Sequence, residues 1–167
     1  MDPYIKDLCE VIQNGEMENT YKMVWIRSIV ETCVLEPSLQ TIHFDELSKK
    51  IFGYYWSQTI YFDLEQSPNP QKRPEIYQIV VEEIERYRSQ YGYQPQWFSR
   101  IENKVDVPIK KISSILTKDV CWRFPKVGRT TYKLYDLDKK NRTISLQNPS
   151  LLVDYSKVLF DLINYRW

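Results

Sequence analysis

The chain holds 167 residues, 43% of them hydrophobic and 14% aromatic, with 23 Lys+Arg against 22 Asp+Glu for a net charge of +1. That much apolar mass argues against a disordered chain and suffices for one ordinary domain, or for two small lobes sharing a core. Cys9, Cys33 and Cys121 lie far apart with no C-x-x-C pair, which excludes a disulfide framework or zinc knuckle and favours reduced thiols.

Proline and glycine delimit the first element. Pro3 starts a helix over residues 3–13 and Asn14-Gly15 stops it, with Ile5, Leu8, Cys9 and Ile12 as the inner stripe. Residues 20–35 place Met23, Ile26, Ile29, Val30, Cys33 and Val34 at helical spacing and leave Arg27 and Glu31 on a wet face. After a loop at Glu36-Pro37-Ser38, a third helix over 44–64 carries the band Leu47, Ile51, Phe52, Tyr55 and Trp56. It is expected to kink near Gly53 and to run on through Ile60-Tyr61-Phe62. Pro68, Pro70 and Pro74 forbid helix over most of 66–74, which reads as an exposed connection. Pro74 restarts a helix with Ile76, Ile79, Val80, Ile84 and Tyr87 inside, ending at Tyr91-Gly92.

Beyond Gln94-Pro95, a short helix through Trp97, Ile101 and Val105 precedes another over 108–117 built on Ile109, Ile112, Ile115 and Leu116. Residues 130–137 and 142–147 are β-rich runs joined by the turn formers Asp138-Lys139-Lys140-Asn141, which predicts a β-hairpin. Asn148-Pro149 then opens a terminal helix bearing Leu151, Leu152, Tyr155, Val158, Leu159, Leu162 and Ile163. The predicted fold is mainly α with a small β-hairpin. An acidic helical lobe over 1–92 leads into a basic, winged-helix-like helix-helix-hairpin-helix unit over 93–167, either as two lobes or as one continuous domain.

The near-neutral total hides a sorting of charge. Residues 1–97 carry 9 Lys+Arg and 15 Asp+Glu, residues 98–147 carry 12 and 5, and residues 148–167 carry 2 and 2, which gives −6, +7 and 0. A basic block that also holds Trp122, Phe124, Tyr132 and Tyr135 has the composition of a phosphate-binding surface. A winged-helix module would put Lys110 and Lys111 (with Lys118) on its groove helix and Arg123, Lys126, Arg129 and Lys133 on the approach to the hairpin. Lys139, Lys140 and Arg142 would lie at the hairpin tip. These cations are the expected contacts to double-stranded DNA. A merely well-solvated hairpin tip would carry the same lysines, so the pattern leaves both open. The amino terminus lacks a basic start with an apolar run, and no stretch approaches a spanning segment, so a cytoplasmic protein without a membrane partner is expected.

Most searches for chemistry end quickly, and no catalytic residue, metal or cofactor is predicted. His43 is the only histidine and stands just before an apolar helix as a capping or packing residue, so neither a Ser-His-Asp triad nor a multi-imidazole metal site can be built. Four scattered glycines give no phosphate-cradling loop. Asp136-Leu137-Asp138-Lys139-Lys140 offers an acid-x-Lys step at a strand end, and with Asp119 upstream it defines the weakest reading, a self-contained metal-dependent nuclease using Asp119, Asp136, Asp138 and Lys140. A polar hairpin turn is the simpler account. Glu82, Glu83 and Glu85 read as a solvated helix face. The run Tyr54-Tyr55-Trp56, with Tyr61 and Phe62, suits either a base-stacking platform or, at its helical spacing, the core.

The phrase Phe44-Asp45-Glu46-Leu47-Ser48, then Tyr54-Tyr55-Trp56-Ser57-Gln58-Thr59, Leu64-Glu65-Gln66-Ser67 and Pro74-Glu75-Ile76, resembles the amino-terminal region of bacterial HNH-endonuclease-domain proteins of the restriction and phage-defence kind. Leu159-Phe160 and Trp167 fit the helix that leads toward the nuclease in those proteins. HNH nucleases use paired histidines around a metal ion, and this chain has only His43, so no catalytic residue carries over. The resemblance implies the amino-terminal part of a longer nuclease, with a fused catalytic domain, or a stand-alone relative that kept the binding half. The implied function is a non-catalytic DNA-binding or target-positioning domain. The alternative is an interaction module in which the oppositely charged halves meet in a homodimer without DNA.

Overall fold

The fold is organised around a helix that solvent barely reaches. In the computed structural model, which describes residues 1–17, 19–62 and 73–167, α1 (Pro3–Asn14) and α2 (Tyr21–Leu35) come first. The predicted connection lies outside the described residues at 66–72, as do residues 63–64 of the third helix. Where the sequence suggests one wet face for α2, Met23, Val24, Trp25, Ile26, Ile29, Val30 and Cys33 are all buried, together with Ser28 and Thr32. The two hydroxyls are tolerated because each turns back on the helix, Ser28 donating to the Trp25 carbonyl and Thr32 to that of Ser28, both at 2.7 Å. Val34, expected inside, is 39% exposed near the end of the helix.

A short strand, β1 (Thr41–His43), runs directly into α3 (Phe44–Phe62). His43 ends the strand, and its Nδ1 accepts the Asp45 backbone N–H at 3.0 Å, satisfying a first-turn donor of α3. Helix α3 continues unbroken through Gly53, and the glycine serves a close approach: a Cβ there would stand 3.1 Å from the Phe98 ring. That ring packs on Phe52 and Trp56, so Tyr55 and Trp56 belong to the core rather than to a stacking platform. Next come α4 (Glu75–Tyr91), ended by Gly92 in the left-handed region at φ 94°, and the short α5 (Phe98–Ile101). Helix α6 (Ile109–Ile115) passes into a wider π turn, Leu116–Val120.

Two small sheets follow. Strands β2 (Lys126–Val127) and β3 (Thr130–Thr131) pair around Gly128-Arg129. Strands β4 (Asp136–Asp138) and β5 (Thr143–Ser145) form the predicted hairpin, shorter than the sequence suggests, with Asp138 opposite Thr143. The third strand of that sheet is β1, paired antiparallel with β5 in the order β1-β5-β4. A segment of the acidic half thus completes the sheet of the basic half. Residues 132–135 do not extend the ladder because backbone groups among them are engaged elsewhere: the Tyr132 N–H donates to the Pro125 carbonyl at 2.9 Å, and the Leu134 carbonyl accepts the Tyr4 hydroxyl at 2.7 Å, while the Tyr135 side-chain hydroxyl donates to the Cys121 carbonyl at 2.6 Å. The terminal helix divides into α7 (Pro149–Asp154) and α8 (Ser156–Arg166), which pack on α2 and α1. The Arg166 guanidinium donates to the carbonyls of Ile12, Gln13 and Gly15, closing the end of α1 with a positive charge where the helix dipole is negative.

The described residues are mainly helical with a small antiparallel sheet, and one hydrophobic cluster runs from Ile5 to Ile163 across both charge segments. Among them, no helix is long and apolar enough to cross a membrane.

Tyr135→Phe is expected to destabilise the chain by about 2–4 kcal/mol, since it strands the buried Trp25 indole N–H and the Cys121 carbonyl together. Tyr132→Phe, whose hydroxyl makes no hydrogen bond among the described residues, is expected to shift stability by no more than about 0.5 kcal/mol. Urea unfolding midpoints of the two variants provide the comparison, and equal midpoints would contradict the hydrogen-bonded link.

Candidate nucleic-acid interface

From Ile109 the chain winds through α6 into the π turn with Ile112, Ser113, Ile115 and Leu116 turned to the core. The helical period therefore leaves Lys111, Ser114 and Lys118 on the exposed side. Trp122 follows four residues after Lys118, and its indole N–H donates to the Lys118 carbonyl at 2.7 Å, which fixes the ring against the end of this ridge. Three cations from three places in the chain converge on that ring. The Arg123 guanidinium and the Lys126 ammonium stand 4.8 Å from its centroid, and the Lys139 ammonium from the hairpin tip stands at 5.8 Å. Each gains from the negative face of the indole. Among the described residues none of the three makes an ion pair with a carboxylate.

The other expected contacts divide. Lys111, Arg129 and Lys140 are exposed and make no ion pair among the described residues. Lys110 is ion-paired with Asp45 at the start of α3, although its side chain is 79% exposed. Lys133 stands 3.3 Å from Asp136. Arg142 is half-buried at φ 55°, the left-handed geometry the hairpin turn requires. Its carbonyl accepts the Phe44 N–H at 2.8 Å and its guanidinium lies 3.5 Å from the Lys110 carbonyl and the Ser113 hydroxyl, so it joins hairpin, α3 and α6.

Two of the three carboxylates of the nuclease alternative, Asp136 and Asp138, are occupied locally. Asp138 accepts from the Asn141 N–H at 3.0 Å and from the Asn141 side-chain amide at 2.7 Å, closing the hairpin turn, and these bonds hold its carboxyl below the usual pKa. Asp136 is paired with Lys133. Asp119 lies apart, in the wall of a cleft of about 500 Å³ between the loop before α2 and the π turn. Among the described residues, no three His, Cys, Asp or Glu side chains gather in a metal-binding group.

The same cleft is lined by Lys22, Arg123 and Lys126, so two of the cations on Trp122 also form its rim. No sequence pattern singles out Lys22, which belongs to the acidic half and comes into play only because the π turn packs against the start of α2. Comparison with known family models, curated proteins and solved structures finds no match to this chain.

Burial alone would raise the pKa of Asp45, but the Lys110 hydrogen bond and the neighbouring charges of His43 and Lys110 outweigh it and hold the carboxyl below its ordinary 3.8. With the folded value below the unfolded one, this group stabilises the fold above pH 3.8, and the contribution disappears as the pH falls through the folded value. Lys110→Ala is therefore expected to raise the Asp45 pKa and to begin that loss at a higher pH. NMR titration of the carboxyl measures both, and an unmoved Asp45 would show that the pair does not form in solution.

Proposed function

We propose that this chain is a non-catalytic domain that binds or positions duplex DNA, using the ridge of Lys111, Lys118 and Trp122 with Arg123, Lys126 and Lys139 around it. The observation that carries the reading is the convergence of three cations on one half-buried indole with no acid among the described residues to neutralise them. Like charges held this close repel one another, and a polyanion relieves the repulsion while releasing its own counterions. Exposed Lys111, Arg129 and Lys140 extend the same charge along α6, the β2–β3 turn and the hairpin tip.

The element order supports the same reading. A strand between two helices, a later helix, and a hairpin whose last strand pairs with the first strand are compatible with the plan of a winged-helix module, into which α4, α5 and the β2–β3 pair would be inserted, with α6 as groove helix and Lys139-Lys140 as wing tip. Lys110, Lys133 and Arg142 are tied to Asp45, Asp136 and backbone, so the contact surface is displaced from the start of α6 toward Trp122. The resemblance of residues 44–76 to HNH-endonuclease proteins gives such a domain its setting, as the part that holds DNA for a fused nuclease in restriction or phage defence. Three unpaired thiols suit a reducing, cytoplasmic environment.

In fluorescence anisotropy with a labelled duplex, affinity is expected to fall steeply as salt rises. Replacing Arg123, Lys126 and Lys139 together with alanine is expected to lower the slope of log K against log salt by about 2 to 3. Lys133→Ala, whose charge is already paired with Asp136, is expected to change affinity by less than about threefold. A flat salt response would overturn the reading, and a salt-sensitive dimer in sedimentation that ignores DNA would replace it with an interaction module.

A further inference from the structure

The cleft beside the start of α2 has a lining that duplex binding does not require. Its volume of about 500 Å³ falls within the range of small-molecule sites. Lys22, Arg123 and Lys126 supply cations to its walls, and Glu16 and Asp119 supply carboxylates. Among the described residues no ion pair joins these two sets, so both stand ready for a ligand. Lys22 is half-buried. Burial lowers the pKa of its ammonium, Glu16 opposes the shift, and the charges of Arg166 and Arg123 add to it. An arriving anion would relieve that crowding. Carboxylates in the same walls would accept hydrogen bonds from hydroxyl or amino groups carried by the same molecule.

We propose that this cleft binds a nucleotide through its terminal phosphate, with Lys22, Arg123 and Lys126 on the phosphate and Asp119 and Glu16 accepting from sugar hydroxyls or base amino groups. The required chemistry is a phosphate monoester on a nucleoside, and it has two sources, a free nucleotide or the phosphorylated end of a nucleic-acid strand. The strand-end source rests on the DNA-binding reading through the shared Arg123 and Lys126. The free-nucleotide source does not.

Titration calorimetry of the full chain with AMP, adenosine and inorganic phosphate tests the site, and competition between 5′-phosphorylated and 5′-hydroxyl forms of one duplex assigns the source. AMP is expected to bind at least about tenfold more tightly than either adenosine or phosphate alone, because only AMP engages both halves of the lining. Lys22→Gln is expected to weaken AMP about tenfold with an unchanged circular dichroism spectrum. Asp119→Asn is expected to weaken AMP without affecting inorganic phosphate, and this keeps the test decisive should Lys22→Gln disturb the start of α2. A preference for the phosphorylated duplex that Lys22→Gln removes assigns the strand end. AMP binding without that preference assigns the free nucleotide. No binding of AMP and no preference for the phosphorylated end would overturn the proposal, while binding of the hydroxyl-ended duplex would leave the DNA-binding reading standing on its own.

Discussion

A hydrogen-bonded link from α2, added to the β1–β5 ladder and the Lys110–Asp45 pair, ties the basic segment to the rest of the molecule. The Trp25 indole N–H donates to the Tyr135 hydroxyl at 3.2 Å, and that hydroxyl donates to the Cys121 carbonyl at 2.6 Å. Trp25 is wholly buried in α2 and meets the Phe44 and Tyr135 rings edge-on. Helix α2, the start of α3, the end of the π turn and the approach to β4 therefore meet at one polar point inside an apolar core, where an unmet donor or acceptor costs more than the bond itself gains. Burial pushes the Tyr135 hydroxyl well above its ordinary pKa, which keeps it a neutral donor at neutral pH. This fixes Cys121, and with it the neighbouring Trp122, relative to the helical layer.

Much of the helical layer was legible because its signals are local. Pro3, Pro74 and Gly92 set helix ends by backbone geometry, and the apolar periods of α1, α3 and α4 point where their residues pack. What escaped the sequence depends on partners far along the chain. Residues 41–43 give no strand pattern of their own, since three residues are too few to show a period and their ladder is supplied by β5 a hundred positions later. Residues 132–135 have strand composition, yet Pro125 and Tyr4 hold backbone groups among them outside any sheet. The wet face expected of α2 is covered because α7 and α8 pack there: Arg27 stands over the rings of Tyr54 and Trp167, and the Tyr54 hydroxyl donates to Glu31.

Sorting of charge along the chain foretold the sign of the candidate surface but not its membership. Asp45 stands at the start of a helix from the acidic half and faces Lys110 of the basic half, so folding pairs one expected contact within the chain. Arg142 became structural because the hairpin needed a residue in the left-handed region and its guanidinium lay within reach of α6. Among the described residues Lys126 and Lys139 stay unpaired, because β2 and the hairpin tip lie beside Trp122, where an aromatic face rather than a carboxylate receives them. Tertiary geometry decides which cations remain available to a partner, and one-dimensional charge counts cannot resolve that.

The π turn explains why Trp122 is the centre of the patch. A wider turn between Leu116 and Val120 breaks the α-helical phase, with the Cys121 N–H reaching back to the Leu116 carbonyl at 2.9 Å. Val120 and Cys121 stay in the core while Trp122 comes out half-exposed beside Lys118. The indole spends its only donor on the Lys118 carbonyl, which leaves its faces, and no hydrogen-bonding edge, for a ligand. On the DNA-binding reading such a residue reads no base identity: it presents a flat apolar surface ringed by phosphate-seeking charge. On that reading a contact of this kind would supply affinity and register on the duplex, and any choice of target sequence would fall to the exposed face of α6, which carries Lys111 and Ser114.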